Sequence, residues 1–184
     1  MKLLLSPTIP RLLFLLACLS GCGLGHGIHL GTCSVTVHTH ELRKHYTEIR
    51  SSVIAADSQM GVRLLRGDVM RNIQEGEYCC FLRLLLRFYV ERVFVSHGMS
   101  QPLHRRSTSA LANSFLTINK DLRQCHCHCG EDTRRRMDSL QAQFDKLEIY
   151  QAAVKAIGEL DSLLDWLEEL KHNSHTTHTD RKHI

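Results

Sequence analysis

The chain has 184 residues, 43% of them apolar and 23% charged, which suits one domain with a buried core and argues against bulk disorder. Its 23 lysines and arginines nearly balance its 19 acidic residues, at a net charge of +4, so we expect no nucleic-acid partner. The unusual features are 8 cysteines and 13 histidines.

Residues 1–25 have the layout of a secretory signal peptide. Lys2 and Arg11 precede an apolar run from Leu12 to Leu19, and small residues follow that run. The run is much shorter than the roughly 20 apolar residues that span a bilayer, so we expect no membrane insertion. These features predict a secreted protein whose domain covers residues 26–171. A bacterial lipobox with a lipid on Cys22 is the alternative.

The first predicted helix covers Thr39 to Ala56. Apolar or aromatic residues recur there at three- and four-residue intervals, which predicts one apolar face, and Thr39 suits the N-cap. Residues 57–76 contain three glycines and are predicted to form a long connection with one helical turn near Val62–Leu65.

The second predicted helix covers residues 77–96. Nearly every residue in it is apolar apart from one charged stripe, which is typical of a helix at the centre of a bundle. We expect His97 and Gly98 to end it. A strongly amphipathic helix is then predicted over residues 107–125, where apolar side chains again recur with helical spacing.

The last part of the chain also has helical periodicity. A helix is predicted after Gly130, with a bend near residues 148–150 and a final helix that ends near Lys171. Gly158 lies inside that final helix, where a close helix crossing would explain it. Residues 172–184 are rich in Ser, Thr and His, and we expect a disordered polar tail. We find no strand alternation and no hairpin turn, so the predicted fold is all-α, an antiparallel bundle of about six helices.

Six cysteines follow the predicted signal peptide, and an even number in an exported chain predicts three disulfide bonds. A bond between the neighbours Cys79 and Cys80 would strain the backbone, but several other pairings stay open. The competing interpretation is a metal site in the alternating Cys/His segment 125–129. Its single-residue spacers do not match the usual spacing of structural zinc ligands, so we expect no metal and no cofactor. The six residues are Cys33, Cys79, Cys80, Cys125, Cys127 and Cys129.

The sequence carries no convincing catalytic motif. It has no glycine-rich phosphate loop and no nucleophile elbow. His40-Glu41 begins a zinc-protease motif, but Lys44 occupies the position of the second histidine. We therefore expect a protein that is not an enzyme.

Four motifs, in the same order and at nearly the same spacing, resemble the interleukin-10 cytokine family. Cys79–Tyr89, Ser109–Ile118 and Cys127–Glu131 resemble the interleukin-19, -20 and -24 subgroup, nearest to its interleukin-20 branch. Lys155–Leu164 is similar to the terminal Lys-Ala-x-x-Glu-x-Asp motif of the family. Together the likeness runs from about residue 30 to residue 169.

The resemblance implies a secreted, monomeric helical cytokine with three disulfide bonds. Carried onto the matching cysteines, these would be Cys33–Cys125, Cys79–Cys127 and Cys80–Cys129. Only His126 separates the first two cysteines of the late cluster, where the family has a longer spacer, so an altered pairing stays open.

The resemblance further implies that the chain bridges two class II cytokine receptor chains, of the interleukin-20 receptor type, and triggers JAK–STAT signalling. An antagonist that occupies one receptor chain only, and a metal-binding protein that uses the Cys/His segment, stay as alternatives. One receptor would meet the first interhelix connection and the last helix, at Arg63, Leu65, Arg66, Asp165 and Glu169. The second would meet the first helix and the 107–125 helix, at Lys44, Glu48, Asn113, Thr117, Lys120 and Gln124.

Overall fold

The computed structural model describes residues 26–65, 69–70, 72–100 and 104–180. The predicted signal peptide, residues 1–25, and the candidate contact Arg66 lie outside the described residues. Within the described ranges the chain is mostly helical, which confirms the predicted fold class.

The described chain begins with a two-stranded antiparallel hairpin, β1 (His26–Leu30) and β2 (Cys33–Val37). Gly31 in its two-residue turn has φ +69°, a conformation that glycine adopts at little cost. The expectation of no strand and no hairpin is wrong here. Alternate side chains of both strands are buried, as in any strand with one face on the core. The buried residues have even numbers in β1 and odd numbers in β2, so a search for one continuous alternation through both strands does not find them.

Helix α1 (Thr39–Ala56) has the predicted bounds and the predicted buried face, formed by Leu42, Tyr46, Ile49 and Val53. Its N-cap is His38 and not Thr39, whose side chain is buried. The face is buried because helical neighbours three and four residues apart lie on one side of the axis.

The central segment is helical in three consecutive parts after a short 3₁₀ turn at Glu75–Glu77. They are α2 (Tyr78–Phe88), a π-helical segment (Tyr89–Val93) and α3 (Phe94–Ser100). The predicted end at His97 and Gly98 is wrong, since α3 continues to Ser100. His97 is buried, and burial lowers its pKa, so the side chain packs as a neutral ring inside the bundle.

Four further helices complete the bundle: α4 (Arg105–Leu122), α5 (Glu131–Asp145), α6 (Ile149–Gly158) and α7 (Leu160–Asp180). The bend predicted near residues 148–150 is confirmed. There the Glu148 carboxylate caps α6 by accepting hydrogen bonds from the backbone N–H groups of Tyr150 and Gln151, each at 3.1 Å.

Two details of the last helices differ from the prediction. Gly158 is the last residue of α6 and not an interior residue, and a Cβ at that position would lie 3.8 Å from Val53, an ordinary contact. The close helix crossing is therefore not what explains this glycine. The predicted end near Lys171 is also wrong, because α7 continues to Asp180 through the start of the predicted tail. No glycine or proline separates Lys171 from Asp180, so the sequence has no strong stop signal there.

The core lies around the central segment, which packs against α4, α5 and α6. Two pairs of buried aromatic residues meet edge to face, with ring centroids 5.1 Å apart for Phe88 and Phe144 and 5.6 Å apart for Tyr89 and Phe115. This geometry is the favoured one for aromatic pairs. Helix α1 covers α4, α6 and α7 from the other side.

Candidate functional site

Three disulfides join the hairpin and the start of α2 to the segment after α4. They pair Cys33 with Cys125, Cys79 with Cys127 and Cys80 with Cys129, at Cα–Cα distances of 5.7, 5.3 and 5.4 Å. These distances suit a disulfide, and the pairing is the one that the family resemblance implies.

The short spacing of the late cysteines is accommodated by the backbone after α4. Residues 126–130 have no helical structure, and burial alternates along them: Cys125, Cys127 and Cys129 are half-buried, and His126 and His128 are exposed. All three sulfurs are bonded to cysteines of the hairpin and of α2, so they face the bundle, and both imidazoles face solvent.

The cysteines that a metal site would use are bonded in disulfides in this structure. Among the described residues, the sulfurs of Cys33, Cys79 and Cys125 form a group of possible ligands within 4.8 Å of one another. Each of the three belongs to a disulfide, whereas a metal binds the free thiolate. A metal site here would require reduction of those bonds.

The connection after α1 is fastened at its start by two side chains of α6. Gln151 Oε1 accepts hydrogen bonds from the Ser58 hydroxyl at 2.8 Å and from the Ser58 N–H at 3.3 Å. Lys155 Nζ donates to Asp57 Oδ2 at 2.9 Å, and both of these side chains are largely buried. A buried ion pair of this kind fixes geometry because removal of either partner leaves an unpaired charge.

The end of the same connection is fastened by Glu159, the residue that follows α6. Its Oε2 accepts hydrogen bonds from the backbone N–H groups of Leu64 and Leu65, at 2.8 and 2.6 Å. Burial raises the pKa of Glu159, while the two N–H donors and the Lys155 ammonium oppose that rise. Lys155 and Glu159 belong to the motif that resembles the family's terminal signature, so two of its charged residues shape the first connection.

The last carbonyl groups of α6 are satisfied by two tyrosines. Tyr46 of α1 donates its hydroxyl to the Gly158 carbonyl at 3.0 Å, and Tyr89 donates to the Ala156 carbonyl at 2.7 Å in a buried environment. These carbonyls are among the four at a helix end that have no partner within the helix. Burial raises the pKa of Tyr46 to about 12 and that of Tyr89 well above its ordinary value, so both hydroxyls keep their protons at neutral pH.

A charge cluster joins α1 to α7. Arg43 binds Glu168 through two hydrogen bonds of 2.8 and 3.0 Å and also contacts Asp165. Arg50 binds Asp161, the third charged residue of the family-like motif, at 2.7 Å. The Glu168 hydrogen bond raises the pKa of Arg43, and the same contact lowers the pKa of Glu168. These pairs hold the acidic face of α7 against α1.

The predicted contacts of the first receptor face separate into exposed and buried residues. Arg63, Asp165 and Glu169 are exposed, although Asp165 is held by Arg43. Leu65 is only 3% exposed and packs in the core, so its side chain does not reach a partner from this conformation. The assignment of Leu65 as a contact is corrected on that ground.

The predicted contacts of the second face lie on α1 and α4, which pack against each other, apart from Gln124, which follows the end of α4 at Leu122. The Ser107 hydroxyl donates to the Glu48 carboxylate, which lowers the pKa of Glu48 and ties the two helices together. Sequence reasoning missed Leu116, which is 47% exposed between two of these contacts. Its signal was an apolar residue on the polar face of an amphipathic helix. The remaining predicted residues of this face, Lys44, Asn113, Thr117, Lys120 and Gln124, are all exposed.

The fold and the site together define a class of protein: a disulfide-linked helical bundle whose polar clusters fasten surface segments in place. Within the described residues, no helix combines the length and apolarity that crossing a membrane requires. The candidate site is therefore a pair of exposed faces, one around the first connection and α7 and one on α1 and α4.

Comparison with known proteins gives the family. The family model described as Interleukin 22 IL-10-related T-cell-derived-inducible factor matches residues 36–170. Interleukin-20 of Mus musculus is 43% identical over 148 residues, which cover 78% of this chain and 84% of that protein.

Solved structures agree. The crystal structure of human interleukin-19 superposes with a TM-score of 0.67 at 33% identity, covering 73% of this chain and 89% of that one. An edited human interleukin 24 gives a TM-score of 0.68 at 33% identity, covering 78% and 97%. The chain belongs to the interleukin-10 family of cytokines, as its motifs predicted. Its relatives are cytokines and not enzymes, so this chain is a helical cytokine as well.

Proposed function

We propose that the protein is a secreted cytokine that bridges two class II receptor chains, of the interleukin-20 receptor type, and thereby triggers JAK–STAT signalling. One copy of the chain would present two faces, each to a different receptor ectodomain. The signal peptide predicted over residues 1–25 would direct export, and the three disulfides fit the oxidising environment outside the cell.

The observation that carries this proposal is the pair of exposed polar faces on a bundle that is fastened internally. The first face contains Arg63 and Glu169, and the second contains Lys44 and Lys120, all exposed. Because the fastening contacts hold these faces in place before binding, little side-chain and loop freedom would be lost on binding. A preformed surface of this kind is the usual case in rigid protein–protein complexes.

The test measures the mass of the complex in solution by light scattering after size-exclusion chromatography. The mature chain is mixed with one candidate receptor ectodomain, then with two different ones. We expect a ternary complex with one copy of each component. The variant Arg63→Glu should lose one receptor chain and keep the other, and Lys120→Glu should show the reverse loss. A complex that never exceeds one receptor chain would favour the antagonist alternative.

Intact mass separates the metal-binding and lipidated alternatives. Three disulfides lower the mass of the mature chain by about six hydrogens and leave no thiol to alkylate. A lipid on Cys22 would raise the mass instead, and reduced sulfurs would accept an alkylating reagent.

A further inference from the structure

Two of the three disulfides meet in one cluster of sulfur atoms. The cluster contains the sulfurs of Cys33, Cys79 and Cys125, which all lie within 4.8 Å of one another. Cys33 and Cys125 are bonded to each other, whereas Cys79 is bonded to Cys127. One end of the Cys79–Cys127 bond therefore lies directly beside a second disulfide.

The short spacing of the late cysteines explains why these two bonds lie side by side. Only His126 separates Cys125 from Cys127. The Cys127 N–H donates to the Cys125 carbonyl at 3.0 Å, so the three residues form a γ-turn. The turn holds the two cysteines close together, and each brings its own partner, Cys33 or Cys79, to the same place.

The third disulfide, Cys80–Cys129, lies outside the sulfur cluster. Cys79 and Cys80 are consecutive residues of α2, and consecutive side chains of a helix point in directions about 100° apart. The third bond also closes a loop of nearly the same length, with a sequence separation of 49 against 48 for Cys79–Cys127. It is therefore a matched internal control for any property of the cluster.

Burial decides which sulfur an external thiol meets first. Cys33 and Cys79 are only 6% and 3% exposed, whereas Cys125 and Cys127 are half-buried. An external thiolate attacks a disulfide sulfur that it can reach and expels the other sulfur as a thiolate. Attack on Cys127 therefore forms a mixed disulfide at Cys127 and releases Cys79 as a thiolate inside the sulfur cluster.

We propose that Cys79, once released, exchanges into the Cys33–Cys125 disulfide, so that this end of the bundle is a thiol-sensitive switch. The Cys79 thiolate attacks Cys33 Sγ, the Cys33–Cys79 bond forms, and the Cys33–Cys125 bond breaks. Cys125 leaves as a thiolate and takes up a proton from water. One disulfide replaces another, so the step needs no oxidant or reductant. Its one co-reactant is the small monothiol that released Cys79.

The geometry favours this direction of attack. The sulfurs of Cys79 and Cys33 must approach by less than about 3 Å to reach bonding distance. That shift is on the scale of one side-chain rotamer change, which loss of the bond to Cys127 allows. Cys125 is the better leaving group because its half-buried sulfur is hydrated more easily as a thiolate than the buried sulfur of Cys33.

The exchange moves a covalent link from one part of the fold to another. Cys33 begins β2 and Cys79 lies on α2, so the new bond ties the hairpin directly to α2. The segment after α4 loses its links through Cys125 and Cys127 and keeps only the one through Cys129. In the rearranged form this segment is held less firmly against the bundle.

The first experiment compares two variants that each free one cysteine of α2. Cys127→Ala frees Cys79 inside the sulfur cluster, and Cys129→Ala frees Cys80 outside it. Each folded variant is incubated for hours at about pH 8, because uncatalysed disulfide rearrangement takes minutes to hours and needs the thiolate. Acid stops the exchange, a maleimide labels the free thiols in denaturant at mildly acid pH, and fragment-ion mass spectrometry locates the label.

We expect the label in Cys127→Ala to move from Cys79 onto Cys125, and the label in Cys129→Ala to stay on Cys80. Scrambling during folding would affect both variants alike, so a difference between them reports the placement of the sulfurs in the folded chain. Label confined to Cys79, or label that spreads equally widely in both variants, overturns the inference. Label on Cys33 in place of Cys125 overturns the assigned leaving group.

The second experiment uses the unaltered protein, so the decision does not depend on the folding of either variant. The folded chain is treated with a limiting amount of glutathione, quenched with acid and digested without reduction. We expect a new peptide pair linked through Cys33 and Cys79 to appear before any new pair that contains Cys80. New links of Cys80 that appear first, or the three original bonds alone at glutathione levels that begin to reduce the protein, overturn the inference. Neither experiment involves a receptor, so both outcomes leave the proposed function untouched.

Discussion

The hydroxyl of Tyr89 gives a sharp test of how the end of α6 is stabilised. Tyr89 is fully buried, and its hydroxyl donates to the Ala156 carbonyl at 2.7 Å. The change Tyr89→Phe removes only the oxygen, so the ring and its edge-to-face contact with Phe115 are kept. The carbonyl is then left buried without this donor.

The expected loss follows from that unpaired carbonyl. Leaving a buried acceptor without its donor costs about 1–3 kcal/mol. For a domain of this size, about 2 kcal/mol corresponds to a fall in melting temperature of about 4–8 °C. Thermal unfolding followed by circular dichroism measures it. The control is Tyr78→Phe, because the Tyr78 hydroxyl makes no hydrogen bond within the described residues while its ring packs on Trp166. Equal melting temperatures for the two variants would refute the account of the α6 end.

Three further predictions concern covalent, backbone and electrostatic contributions. Replacing Cys80 and Cys129 together by alanine removes one disulfide, but the neighbouring Cys79–Cys127 bond still closes nearly the same loop. The additional loop that opens has only about five residues, so chain entropy predicts a loss of about 2 kcal/mol, measured by denaturant unfolding. An unchanged midpoint would contradict it. Gly61→Ala should stabilise the protein by about 0.4–1 kcal/mol in the same assay, because φ is not positive at this position and a Cβ there meets nothing within 4 Å. Arg43 lowers the pKa of Glu168 below its ordinary value of 4.5 in the folded state, so this carboxylate contributes stability above about pH 4.5 that is lost as pH falls further. The melting temperature of Glu168→Gln should therefore fall less steeply between about pH 5 and pH 3 than that of the unaltered protein, and parallel curves would contradict the assignment.

The helices could be predicted from the sequence because their burial follows a single period. The first helix has the predicted bounds, and its four predicted core positions are buried. The hairpin escaped the same reasoning because its strands are five residues each and the buried parity changes at Gly31. Helix ends were the least predictable feature. Helix α6 ends at Gly158, where Tyr46 and Tyr89 donate hydrogen bonds to the last α6 carbonyls. Both tyrosines are distant in sequence, so no local pattern predicts this helix end.

The exposed polar residues of the candidate site that lie on helices could be predicted from the sequence. The side-chain positions in the connection after α1 could not. Lys44 and Lys120 are exposed as helical periodicity requires. In the irregular segment 57–65, periodicity gives no direction for a side chain, and Leu65 proved to be buried while Met60 is exposed. What fixes that segment is Glu159, distant in sequence, and a contact of that range cannot be derived from local spacing.

The central claim is that one copy of this cytokine brings two receptor chains together. Phosphorylation of STAT proteins measures this directly, in cells that express both candidate receptor chains and in matched cells that express only one. We predict a response to the purified mature protein in the first cells alone. STAT phosphorylation in cells with a single receptor chain would contradict the account. So would its absence in all cells whose two receptor chains the protein binds.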